Sequence, residues 1–259
     1  MPFRESGELR YFQFGSFDPT ICQAVFTRHG GVSPSPWASL NMGGMIGDDP
    51  RRVRENCDRA LAALGRSMET VYDVWQVHGE KVVIATAPRS QEVAQLQADA
   101  ILTDRCGLTL LMRFADCVPI LLHDPLRKVV GIVHAGWLGT IRGISSAAIT
   151  AMQNQFGSNP GDILAGIGPS IGPDHYYIGT DVSVQVQDVF GKEASNLLIK
   201  REKGMVFDLW AANRLQLFNS GVKQIETADV CTSCHTDDWF SHRAEHGQTG
   251  RFGAIIGLN

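Results

Sequence analysis

Short apolar runs rich in β-branched residues recur along the chain, each closed by glycine, proline or a polar turn. On this pattern residues 24–28, 71–77, 82–85, 108–114, 118–123 and 129–134 read as strands, and 163–167, 224–227 and 252–256 add three more. Helical spacing lies between them. Asp49-Pro50 opens a helix with Val53, Cys57, Ala60, Leu61 and Leu64 on one face, and Gly65 closes it. Residues 140–156, 182–190 and 208–218 predict three further helices, stopped by Gly157, Gly191 and Gly221. No repeat or linker-like tract divides the chain, and strands do not alternate steadily with helices. The pattern therefore predicts an α+β fold: one layered α/β/β/α domain with mixed sheets over residues 1–259.

Composition narrows the partners. The 259 residues are 44% hydrophobic and 19% charged, enough to bury a large core. A net charge of −4 gives no general attraction to nucleic acid or to anionic membranes, so a small-molecule substrate is expected. The most apolar stretch, 108–122, is interrupted by Arg113 and Asp116 and is too short to span a bilayer. The polar N-terminus lacks a signal peptide's apolar region, which predicts a cytoplasmic protein whose six cysteines are free thiols or metal ligands.

Three apolar runs each deliver a metal-competent side chain to a Gly or Pro break: His78 in Gln-Val-His-Gly, Cys117 in Ala-Asp-Cys-Val-Pro, and His134 in His-Ala-Gly-Trp. One thiolate and two imidazoles suit zinc and leave a fourth coordination position open, with copper as the alternative metal. Gln76 and Asp116, beside two of these residues, are predicted to orient the ligands or to meet substrate. No tight spacing joins the three, and the same residues would serve a cysteine hydrolase with Cys117 as nucleophile.

The segments Thr27-Arg-His-Gly-Gly, Ser39-Leu-Asn, Gln76-Val-His-Gly, Ala115-Asp-Cys, His134-Ala-Gly-Trp, Gly166-Ile-Gly-Pro, Cys231-Thr-Ser-Cys and Phe240-Ser-His-Arg occur in that order. Together they resemble the YfiH-like family, also called the laccase-domain or multicopper polyphenol oxidase family. The resemblance runs from about Ala24 to Leu258. It implies a zinc site made by His78, Cys117 and His134, and an enzyme that phosphorolyses adenosine, inosine and methylthioadenosine and deaminates adenosine. Cys117, His78, His134 and Asp116 are then the catalytic candidates, with Arg28, Asn41, Gln76 and Arg243 as binding residues for nucleoside and phosphate. Two positions depart from the pattern: Leu138 and Cys57 stand where such proteins often carry arginine.

Rival readings stand against these. Copper-dependent polyphenol oxidation, suggested by one family name, needs His-x-His pairs, and none occurs among the eight histidines. Cys231-Thr-Ser-Cys234-His235 has the form of a c-type haem attachment, but attachment implies export. The same cysteines with His242 and His246 have zinc-finger-like spacing within each pair. The packing alternative is that this segment walls the active site with Arg243.

Overall fold

The computed structural model describes residues 2–90 and 92–259. One six-stranded sheet runs in the order β1 (Phe3–Ser6), β2 (Leu9–Phe12), β3 (Cys22–Phe26), β15 (Phe252–Gly257), β7 (Thr109–Phe114) and β4 (Val71–Asp73). Its neighbours are antiparallel except β4, which runs parallel to β7. The second sheet has the order β14 (Gln224–Thr227), β10 (Leu164–Ile167), β8 (Val118–Asp124), β9 (Val129–Ala135), β6 (Ala100–Thr103) and β5 (Val82–Ile84). It too is mixed, with β14 parallel to β10 and β5 parallel to β6. A small antiparallel sheet joins β11 (Tyr177–Ile178), β13 (Gly204–Phe207) and β12 (Leu198–Arg201).

The two large sheets pack face to face. Val25, Met112, Phe114, Ala254 and Ile256 from the first meet Ile101, Leu121, Val130 and Ile132 from the second in one core. On the first sheet's outer face α1 (Pro50–Ala63) buries Cys57, Ala60 and Leu61 against Phe26, Leu111 and Ile255. The other face of the second sheet is covered by α3 (Ile144–Phe156) and α6 (Leu209–Asn219), with α2 (Trp137–Arg142), α4 (Thr180–Phe190) and α5 (Ala194–Leu197) around them. The result is the α/β/β/α layering expected from the pattern. Both faces of β8 and β9 are buried, every residue of them, which explains why they read as continuous apolar runs rather than alternating ones.

Three local departures bear on the site. The expected strand 71–77 ends at Asp73. Beyond it the Gln76 side chain takes over the ladder: Arg113 N donates to its Oε1 at 3.0 Å and its Nε2 donates to Arg113 O at 2.8 Å. The expected helix 140–156 begins earlier, at Trp137, and breaks at Gly143, whose φ of +84° suits glycine. The strand β6 carries no alternation signal because all four of its residues are buried, and the pattern gave no hint of it. No helix among the described residues is long and apolar enough to cross a membrane.

Candidate metal centre

The centre lies where the two sheets open. Cys117 immediately precedes β8, His134 sits near the end of β9, and His78 follows the short β4 in a tight turn. Their ligand atoms all lie within 4.8 Å of one another. Cys117 Sγ is 3.8 Å from His78 Nε2, and the two imidazoles meet edge to face with centroids 4.9 Å apart.

Asp99, the residue before β6, holds two of the three. Its carboxylate accepts the amides of Val77, His78 and Gly79 at 3.2, 3.0 and 2.7 Å, and accepts His134 Nδ1 at 2.8 Å. His134 N also donates to Asp99 O at 2.7 Å. The Asp99 side chain is wholly enclosed. His78 sits at φ +58°, a left-handed conformation costing a non-glycine residue about 1 kcal/mol or more. Hydrogen bonds to a charged acceptor contribute about 1.5–3 kcal/mol each, so the three amides outweigh that strain. With Nδ1 occupied, His134 presents Nε2 to the centre.

Cys117 is aimed by its neighbour. Asp116 also has positive φ, +82°, and its carboxylate accepts Thr232 Oγ1 at 2.7 Å and Arg243 N at 2.6 Å. Each carboxylate oxygen thereby holds one bond from the segment 232–243, which fixes the Asp116 turn beside Cys117. A side chain at Gly136 would approach His78 Cδ2 to 2.8 Å and Cys117 Sγ to 2.9 Å, which keeps this wall to glycine.

Burial pushes the Cys117 thiol up, but His134 and His78 outweigh it and bring the pKa down to about 6. Burial likewise lowers His134, whereas Cys117 and Asp99 carry it up to about 9. Without a cation the pair is therefore thiolate and imidazolium. Sulfur, two nitrogens, an imidazole oriented from behind and a glycine-sized clearance fit a zinc or copper ion with a position left open.

The centre forms the floor of a cleft of about 1050 Å³. Trp75, Trp137 and Tyr176 supply aromatic surface, and Arg89, Arg113, Arg243 and Arg251 supply cations. Arg113 and Arg89 are tied to the buried Asp73 at 2.9 and 2.7 Å. Arg243 stacks 5.1 Å from the Tyr176 ring centroid and donates to Tyr177 O at 2.9 Å. Burial pushes the Arg251 guanidinium below its ordinary pKa, which favours an anion beside it. Arg251 escaped the sequence reading because it stands alone before the final apolar strand.

Among the expected binding residues, Gln76 and Arg243 line the cleft and Arg28 and Asn41 do not. The Gln76 amide is engaged on both sides with the Arg113 backbone. Arg28 donates to Ala38 O and Thr236 O, pairs with Glu245 at 3.0 Å and lies over the Phe240 ring. The groove beside His29 and Gly30 is lined by Glu5 and Glu8, an unfavourable setting for phosphate. Asn41 is fully buried; its amide donates to Asp48 and Gly43 O, and its carbonyl accepts from Gly43 N and Arg251 N. Both Asn41 amide hydrogens are used within the chain, and Arg28 spends its Nε and Nη1 on the 236–245 segment and Ala38. Cys57 is core beneath α1, and Leu138 lies one turn before Arg142, which reaches His78 O at 3.4 Å. Cys231 and Cys234 do not gather with His242 and His246; Asp174 and His175 face them instead.

A family model described as multi-copper polyphenol oxidoreductase laccase matches residues 22–259. A purine nucleoside phosphorylase of Deinococcus radiodurans is 39% identical over 238 residues, 92% of this chain and 89% of that protein. The purine nucleoside phosphorylase YlmD of Geobacillus stearothermophilus is 38% identical, with 89% of this chain and 88% of that one covered. The crystal structure of YlmD from the same organism superposes with a TM-score of 0.93 at 34% identity, covering 100% of this chain and 99% of its own.

Proposed function

The chain belongs to the family described as multi-copper polyphenol oxidoreductase laccase, and from that premise we propose that it is a cytoplasmic zinc enzyme of purine nucleosides. Its proposed reactions are phosphorolysis of adenosine, inosine and methylthioadenosine, and deamination of adenosine. The names of its relatives support the nucleoside and phosphate. The observation that carries the reading is a three-donor centre, His78, Cys117 and His134, on the floor of a cleft that offers aromatic faces and arginines together.

Zinc held by these three residues supplies a Lewis acid with one position free for exchange. The remaining work falls to the protein. Trp75, 46% exposed on the cleft wall, and Tyr176 offer π faces on which a purine stacks. Arg243 and Arg251 take the place first expected of Arg28 and hold phosphate against the sugar. In phosphorolysis a phosphate oxygen forms the bond to C1′ as the bond from C1′ to the purine nitrogen breaks, and the departing base takes up a proton. We assign that step to His242, an imidazole lining the same cleft.

Purified protein of known metal content, given adenosine or inosine with phosphate, is expected to release the free base and a ribose phosphate, resolved by chromatography. No base and no inosine, together with oxidation of a polyphenol, overturns the reading. A trinuclear copper cluster finds no support in the donors: among the described residues neither metal-competent group contains three imidazoles. A second reading has one observation behind it, since the Cys117 and His134 pair is a thiolate–imidazolium couple when metal-free. Stoichiometric metal on Cys117 would leave that nucleophile unavailable.

A further inference from the structure

A second constellation stands outside the reactive centre, on two loops that the fold brings side by side. Ser170 N donates to Val230 O and Thr232 N to Ser170 O, a two-rung ladder centred on the Ser170–Cys231 bridge. This pairing sets the Cys231-Thr-Ser-Cys234 turn beneath the Asp174-His175 turn. The close approach depends on Gly172, where a Cβ would lie 3.1 Å from Cys231 Cβ and 2.7 Å from Asp174 Oδ1.

We propose that Asp174, His175, Cys231 and Cys234 form a second, closed metal site that takes one zinc ion as a structural staple. The geometry carries it. Cys231 Sγ and Cys234 Sγ lie 3.8 and 3.4 Å from His175 Nδ1. Asp174 Oδ2 is 3.2 Å from Cys234 Sγ and 3.2 Å from His175 Nδ1. All four ligand atoms fall within 4.8 Å of one another. Ligands about 2.0–2.3 Å from a tetrahedral zinc stand about 3.3–3.8 Å apart, so the observed edges are those of a coordination shell.

The chemistry agrees with the geometry. Two thiols, an imidazole and a carboxylate complete a four-ligand set with no position left for substrate, the arrangement of a structural zinc. The Gly172 amide points at Cys231 Sγ from 3.2 Å and helps fix its position. Among the described residues no lysine or arginine pairs with Asp174, whose carboxylate faces His175 and the Cys234 thiol. Asp174 and Cys234 are exposed, which gives the ion a direct route from solvent.

The staple has a job in the cleft. Tyr176 N bonds Gly172 O, and Arg243 Nη1 reaches His175 O and Tyr177 O. Clamping the two loops fixes the wall that carries Tyr176 and Arg243.

The test is a metal count on tag-free protein, dialysed against a weak chelator and measured by plasma mass spectrometry and native mass. Two zinc ions per chain are expected, one in Cys234→Ser, one in Cys117→Ser and none in the double variant. On cobalt substitution the sulfur-to-metal charge-transfer band should lose about two thirds of its intensity in Cys234→Ser and about one third in Cys117→Ser, following the thiolates lost. Should Cys234→Ser fold poorly, Asp174→Asn with His175→Ala reports the same loss. One zinc in the wild type, retained by Cys234→Ser and lost by Cys117→Ser, overturns the second site and leaves the first intact. A Cys231–Cys234 disulfide in protein purified under reductant overturns it equally.

Discussion

The two Cys–His constellations use the same atoms and are built in opposite ways. His78, Cys117 and His134 come from three separate strand ends of a sandwich whose core is closed, and a carboxylate behind them fixes two of the three. Asp174, His175, Cys231 and Cys234 come from two adjacent loops, and their polar contacts are largely with one another. The first spends its rigidity on leaving a position open. The second, with four donors, closes on itself. The number of donors and the source of their orientation, rather than ligand type, separate a reactive centre from a staple.

Replacing one thiol at each place gives the sharpest contrast. Cys117→Ser is expected to cost at least ~10²-fold in kcat/KM for phosphorolysis, since it removes a charged ligand at the reacting centre. Cys234→Ser should leave kcat within about threefold while lowering Tm by roughly 5 °C. Equal activity losses would erase the distinction. Asp99→Asn comes next, with about 10–100-fold weaker zinc binding and activity, because a ligand-orienting carboxylate is lost while the shape is kept. Metal titration with steady-state kinetics checks it, and unchanged affinity would remove Asp99 from its anchoring role.

Arginines sharpen the comparison from the substrate side. Arg251→Gln should raise KM for phosphate about tenfold with Tm little changed. Arg28→Ala should do the reverse: KM steady, and Tm down about 5–10 °C through lost bonds to Ala38, Thr236 and Glu245. The smallest effect is read by pH in metal-free protein. A lowered thiol pKa means thiolate persists to lower pH, so alkylation of Cys117 should fall only as pH drops through about 6. Burial, Asp174 and Cys231 hold the Cys234 thiol up near 12, so its alkylation should stay slow through neutral pH. Mass mapping of the modified cysteines distinguishes the two curves.

Much of the layered fold was legible because strands buried on both faces announce themselves as unbroken apolar runs, as Val118–Asp124 and Val129–Ala135 do. The three metal-competent residues His78, Cys117 and His134 stood out in the sequence because each lies beside an apolar run broken by Gly or Pro, and the fold does bring them together. Asp99 did not stand out. Its work is to accept backbone amides from residues 77–79, and that requirement exists only once the chain has turned onto it. The strand it introduces, Ala100–Thr103, is too short and too uniformly buried to show a period. Arg28 and Asn41 stand differently: their motifs are distinctive, and the contacts they make are to other parts of this chain, outside the cleft. Cys231 and Cys234 read as a ligand pair from spacing alone, while their partners lie 56 or more residues away and are found only through the Ser170–Cys231 bridge.

The Asp99 carboxylate also sets a limit on borrowing this centre for other ends. Three side chains grafted onto a foreign scaffold at the right separations would lack the one group that bends the His78 turn and turns the His134 ring at once. Such a graft would bind metal loosely, with each imidazole free to swing. The smallest portable unit is therefore four residues, and the fourth never touches the ion.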